Sequence, residues 1–172
     1  MEAASFEKVF LKISLHRMND MYFLKLKESL QGLSQELLWT ENYPGSNTIG
    51  GITMHMCEHI ARNCLRLSES DPELKQGFQE YFPSDTVTSQ QLIQAFEEQL
   101  RAWSILMKRY IQGELPLNEE HIHQLYHLLE HAGYHLGQVI DRVQGATGEK
   151  LEFYKKGLHE AYLRSKIDSD LT

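Results

Sequence analysis

Residues 119–148 read EEHIHQLYHLLEHAGYHLGQVIDRVQGATG. Leu125, Leu128, Leu129, Leu136, Val139, Ile140 and Val143 recur at spacings of three and four, the mark of one apolar stripe on an α-helix. Pro116 and Asn118 precede the stretch as a start signal, and Gly145 and Gly148 close it, so a helix is expected over about 119–144. His127, His131 and His135 sit four residues apart on this helix, one above the other on the same face. At about 100° per residue, His135 falls beside the apolar stripe and His131 about 40° further out.

Outward from this helix, the same period recurs and strand signals are nearly absent. A first helix is expected over about 5–30, capped by Ser5 and closed by Gly32, with Phe6, Val9, Phe10, Ile13, Leu26 and Leu30 inward. A short helical turn, SQELLW, follows, and then a loop turning at Pro44-Gly45. The second helix spans about 48–68, with Ile49, Ile52, Met56, Ile60 and Leu67 as its stripe. Gly50-Gly51 near its start lower helix propensity and point to a close backbone approach. A long connection with Pro72 and Pro83 leads on, long enough to cross over a bundle. The third helix begins at a capping box, Thr88 with Gln91, carries Leu92, Phe96, Leu100, Trp103, Met107 and Tyr110 inward, and ends at Gly113. A last amphipathic segment, about 150–166, is expected as an extra C-terminal helix. The reading is an all-α chain, a four-helix bundle in one domain over residues 1–172.

Composition narrows the function classes. Apolar residues make up 41% and charged residues 24%, enough for a folded core. The net charge of -7 with scattered basic residues argues against a nucleic-acid partner, which a basic surface would have to attract. No apolar run approaches the ~20 residues that cross a bilayer, and the N-terminal stretch shows no secretory signal. Cys57 and Cys64 lie roughly 10 Å apart along one helix, too far for a disulfide. They read as small buried hydrophobes of a reduced, cytoplasmic protein.

Nine histidines remain to be explained. The second helix carries His55 and His59 four residues apart, with His59 beside its stripe and His55 about 40° further out. Both helices thus put a histidine pair on the same flank of their core face. Packing those flanks together brings imidazoles to one point at the core edge, where they suit zinc, nickel, copper or iron. Three protein ligands and an open position is the arrangement of a catalytic ion. His16, His121, His123 and His159 form no such pairs. A di-iron carboxylate site needs two Glu-x-x-His motifs, and only Glu120 to His123 is present.

The run His131-Ala-Gly-Tyr-His135-Leu-Gly137-Gln138, with Asn47-Thr48-Ile49 and then His55, and the preceding Leu33-Ser34-Gln35-Glu36-Leu37-Leu38-Trp39, resembles the DinB/YfiT-like metal-binding four-helix bundles. The resemblance spans residues 5 to 145. It implies His55, His131 and His135 as the ligands of a divalent transition metal, zinc or nickel, with His127 as a neighbour. Leu136 departs from it, standing where many relatives carry Arg. The resemblance further implies metal-dependent transfer of a low-molecular-weight thiol, such as bacillithiol or mycothiol, to a small electrophilic substrate. Metal-dependent hydrolysis, with Glu58 as the general base, and non-catalytic metal or ligand binding are the alternatives. Gly137 is expected to let a neighbouring helix approach. A homodimer is expected, with the aromatic third helix (Phe96, Trp103, Tyr110) and the C-terminal segment offering apolar surface for a second copy.

Overall fold

The computed structural model describes residues 5–68 and 87–169, and all regular structure among them is helical. The Pro72 and Pro83 connection lies outside the described residues. The first helical run is α1 (Phe6–His16), a π-helical stretch (Arg17–Tyr22) and α2 (Phe23–Leu30). Then come α3 (Gln35–Trp39), α4 (Ile49–Ser68), α5 (Ser89–Gln112), α6 (Glu119–Thr147) and α7 (Glu160–Ser169). None of these helices is long and apolar enough to cross a membrane.

Local chemistry sets the helix ends. Ser5 accepts from the Lys8 amide, Ser34 from Leu37, Thr88 from Gln91 and Asn118 from His121, each satisfying one orphan donor of a first turn. Thr88 and Gln91 form the reciprocal capping box. Gly113 and Gly148 end α5 and α6 in the left-handed region, at φ 78° and 70°. Gly145 does not end α6, which continues through it to Thr147. The C-terminal helix is also shorter than expected. Residues 153–157 fold as a turn, with the Leu158 amide bonded to the Phe153 carbonyl and Gly157 at φ 79°, so helix begins only at Glu160.

The inward face of the first run differs from the expected one. Leu11, Leu15 and Met18 are buried, while Phe6 is 78% exposed. Ile13 leaves the main core and joins Met21, Leu158 and Tyr162 against Leu163 and Ile167 of α7. The first run therefore carries two apolar sides, one for the main core and one for α7. Asn19 in the π stretch donates to the Leu15 carbonyl and to Ser104 Oγ of α5, both at 2.9 Å, and so ties the run to α5.

The main core lies between the first run, α4, α5 and α6, with α4 packing most extensively on α5 and α6. Phe96 and Trp103 are fully buried in it and Tyr110 nearly so; Phe96 stacks on Phe23 with ring centroids 5.8 Å apart. These aromatics fill the chain's own core, so the surface expected of them for a second copy does not exist. Gly50 does meet a close approach: an added Cβ would stand 2.7 Å from the Trp39 ring, which is anchored by its Nε1–H to the Val87 carbonyl at 2.8 Å. Gly137 does not, because a Cβ there meets nothing within 4 Å. The close glycine of that helix is Gly133, whose added Cβ would lie 2.9 Å from the Tyr22 hydroxyl.

Candidate metal centre

Helices α4 and α6 run antiparallel. Asn63 and Arg66 of α4 bond to Gln124 of α6, whereas His55, about two to three turns earlier on α4, meets His131 and His135 further along α6. The register is held by a buried amide. Asn63 Nδ2 donates to the Gln124 carbonyl and Asn63 Oδ1 accepts from Trp103 Nε1–H of α5, both at 2.9 Å. Burial of Met56 and Ile60 on α4, and of Ala132, Leu136 and Val139 on α6, turns the histidine flanks of both helices toward each other.

Among the described residues, His55, His131 and His135 form a group whose ligating atoms all lie within 4.8 Å of one another, each side chain half-buried. His55 Nε2 and His131 Nε2 stand 3.2 Å apart. Two imidazole nitrogens at about 2.0–2.1 Å from one tetrahedral ion stand about 3.3 Å apart, so this pair already has the span of two ligands. The ring centroids of His55 lie 4.9 Å from those of both His131 and His135, and those of His131 and His135 are 4.3 Å apart. His131 Nδ1 is buried with no hydrogen-bond partner. Leaving such a group unsatisfied costs about 1–3 kcal/mol, a strain of the kind found where a site serves something other than packing. The donor set of three imidazoles fits a borderline-soft divalent ion such as zinc or nickel.

All of these rings are held neutral. Burial, reinforced by His135, His55 and His127, pushes His131 down to about 3. Burial also lowers His55 and His135 below the ordinary histidine value; nearby His135 and Arg62 lower His55 further. A neutral ring keeps its lone pair available, because proton and metal compete for the same nitrogen.

His59 is not in the ligand group, although its helical phase is closer to the core. Its ring stacks on His131 with centroids 3.5 Å apart and planes inclined by 20°. Burial, and then the neighbouring rings led by His131, push it down to about 3. It serves as a wall for His131. His127 is exposed, 5.7 Å from His131 and 5.9 Å from His59 by ring centroid. Glu58 is half-buried; its Oε2 is buried without a hydrogen-bond partner, and burial raises its carboxyl while Arg62 opposes that. Leu136, in the Arg position of the resemblance, is 4% exposed and belongs to the core. Neither thiol is activated: burial pushes Cys57 up to about 12 and Cys64 up to about 11.

Two contacts at the centre were not assigned from the sequence. His135 Nδ1 is 2.7 Å from Gln138 Oε1, and Gln138 Nε2 donates to the Tyr134 hydroxyl at 3.1 Å. The signal was present as spacing, since Gln138 lies three residues after His135 and four after Tyr134, on adjacent positions of one helix face.

No family model matches this chain, and no curated protein or solved structure matches it.

An open cleft of about 530 Å³ lies where α2, α3 and the end of α6 meet, lined by Glu28, Leu37, Val143, Thr147 and Lys156 among others. It contains no histidine, and Val143 is about 12 Å beyond His135 along the helix. The chemistry-bearing groups sit at the α4–α6 seam instead.

Proposed function

We propose that this chain is a DinB-like four-helix bundle that binds one zinc or nickel ion through His55, His131 and His135 and transfers a low-molecular-weight thiol to a small electrophile. The observation that carries the reading is the convergence of three neutral imidazoles from two antiparallel helices at a half-buried seam. Three ligands leave an open coordination position, and an ion held by neutral ligands keeps its charge and lowers the pKa of a thiol or water placed there. The chain's part is to hold the three rings deprotonated and aimed at one point. His59 walls one side of His131, and the half-buried seam leaves a small molecule access to the other side of the centre. The thiol comes from the solution, because both of the chain's own thiols are kept protonated.

A second reading, hydrolysis, is favoured by one observation: the unpartnered, buried carboxylate oxygen of Glu58, three residues from His55, with the raised pKa of a general base. Metal analysis of the purified protein tests the centre itself. His55→Ala, His131→Ala and His135→Ala are each expected to lose most bound metal with far-UV circular dichroism nearly unchanged. Full retention of metal by any two of them ends the reading. A screen of thiols against a chromogenic electrophile then separates the chemistries. Thiol-dependent turnover that survives Glu58→Gln supports transfer. Thiol-independent turnover lost in Glu58→Gln supports hydrolysis, and no turnover with metal bound leaves a binding bundle.

A further inference from the structure

Three imidazoles make a centre only if each presents a lone pair, and a neutral histidine has one lone pair and one N–H. Which nitrogen carries the proton is set by the hydrogen bond the ring makes on its far side. For His135 that bond is on the structure. Gln138 Oε1 lies 2.7 Å from His135 Nδ1, and an amide oxygen can only accept, so Nδ1 is the protonated nitrogen. The other end of the same amide is also bonded: Gln138 Nε2 donates to the Tyr134 hydroxyl at 3.1 Å. The Tyr134 ring packs edge-on against His135, centroids 5.0 Å apart, and closes the loop of contacts.

We propose that Gln138 is a positioning residue which, steadied by Tyr134, locks His135 in the Nδ1–H tautomer and turns its Nε2 lone pair toward His55 and His131. This deepens the metal-centre reading and rests on it for its purpose, but the tautomer itself exists without any ion. The chain of bonds runs one way: His135 Nδ1–H to Gln138 Oε1, then Gln138 Nε2–H to Tyr134 Oη. A side chain of equal bulk with no acceptor breaks the first link, and a carboxylate keeps it. Tyr134 is 64% exposed, so the steadying link lies at the rim.

The experiment uses the full chain and two readouts. In the metal-free protein, long-range ¹H–¹⁵N spectra of the imidazole nitrogens at pH 7.5 are expected to show His135 as Nδ1–H in the wild type and in Gln138→Glu. In Gln138→Leu that preference is expected to be lost. In competition with a chromogenic chelator, zinc affinity is expected to fall about 10–100-fold in Gln138→Leu, the usual size for loss of an outer-shell partner. It should be held within a few-fold of wild type in Gln138→Glu. A merely structural role for Gln138 would be disturbed by both substitutions and would leave the tautomer alone. If the wild type shows His135 as Nε2–H, or if Gln138→Leu keeps both the wild-type tautomer and the wild-type affinity, the proposal is overturned. A wild type that binds no zinc would end the metal reading, and the ring spectra would still decide the role of Gln138. Should Gln138→Leu fail to fold, Gln138→Met strips the same acceptor from a flexible side chain and is read the same way.

Discussion

Asn63→Leu tests the tie that sets the α4–α6 register. Asn63 is 3% exposed and Trp103 is fully buried, so water cannot replace what the amide supplies. Leucine nearly conserves the volume, which leaves the hydrogen bonds as the main change. The substitution strands one group, the Trp103 Nε1–H, now 2.9 Å from Asn63 Oδ1; the Gln124 carbonyl loses its second donor and keeps the backbone bond of its own helix. A buried donor left unpaired costs about 1–3 kcal/mol, so the loss should be about 1–3 kcal/mol. Against a typical total of about 5–15 kcal/mol, that is a large fraction. Urea melts of the metal-free protein, followed by circular dichroism, measure it, provided the m-value is unchanged. Trp103→Phe in the Asn63→Leu background removes the stranded group. The double variant should therefore be more stable than the sum of the two single effects predicts, by about 1–3 kcal/mol. A cost below about 1 kcal/mol for Asn63→Leu, or strict additivity in the cycle, would refute the claim that this amide ties the three helices together.

In the presence of chelator, stability should be full above about pH 6.5 and should decline as pH falls toward about 3. His59 and His131 are pushed to about 3 and His55 and His135 are lowered, so the unfolded chain takes up protons across that window which the folded chain refuses. Thermal melts from pH 8 to pH 5, with and without zinc, check this; a wild-type profile as flat as that of a His59→Leu/His131→Leu variant would contradict it. The two glycines should respond oppositely. Gly137→Ala should stabilise by about 0.5–1 kcal/mol, since its Cβ enters open space in a helix. Gly50→Ala should destabilise, because about 1–3 kcal/mol of overpacking against the anchored Trp39 ring outweighs the gain of about 1 kcal/mol in propensity. Equal stabilisation by both, in denaturant melts, would show that the Trp39 ring moves freely.

What the sequence determined by itself is local. Helix type, phase and caps are encoded within a turn or two: the three-and-four spacing of Leu125 to Val143, the Thr88–Gln91 box and the stop at Gly113 all reappear in the structure. The same short-range periodicity put His55 with His59 and His131 with His135 on the flanks of their stripes. Tertiary structure decided which of these rings meet. His55 and His59 differ by only 40° on the wheel, and the choice between ligand and wall depends on the α4–α6 register, which is set by Asn63 reaching Gln124 and Trp103, 61 and 40 residues away. It also decided which glycine is tight, because Gly133 and Gly137 look alike in a helical sequence and only the neighbouring Tyr22 distinguishes them. The π stretch at Arg17–Tyr22 was unreadable for a related reason. It adds no composition signal, but it shifts the helical phase between α1 and α2, so that Leu11 and Leu15 before it and Leu26 and Leu30 after it all face the main core. The third helix shows the remaining case: its aromatic face was legible as apolar, but only packing could say that the chain's own core consumes Phe96, Trp103 and Tyr110, since one chain's pattern cannot tell its own interior from an interface.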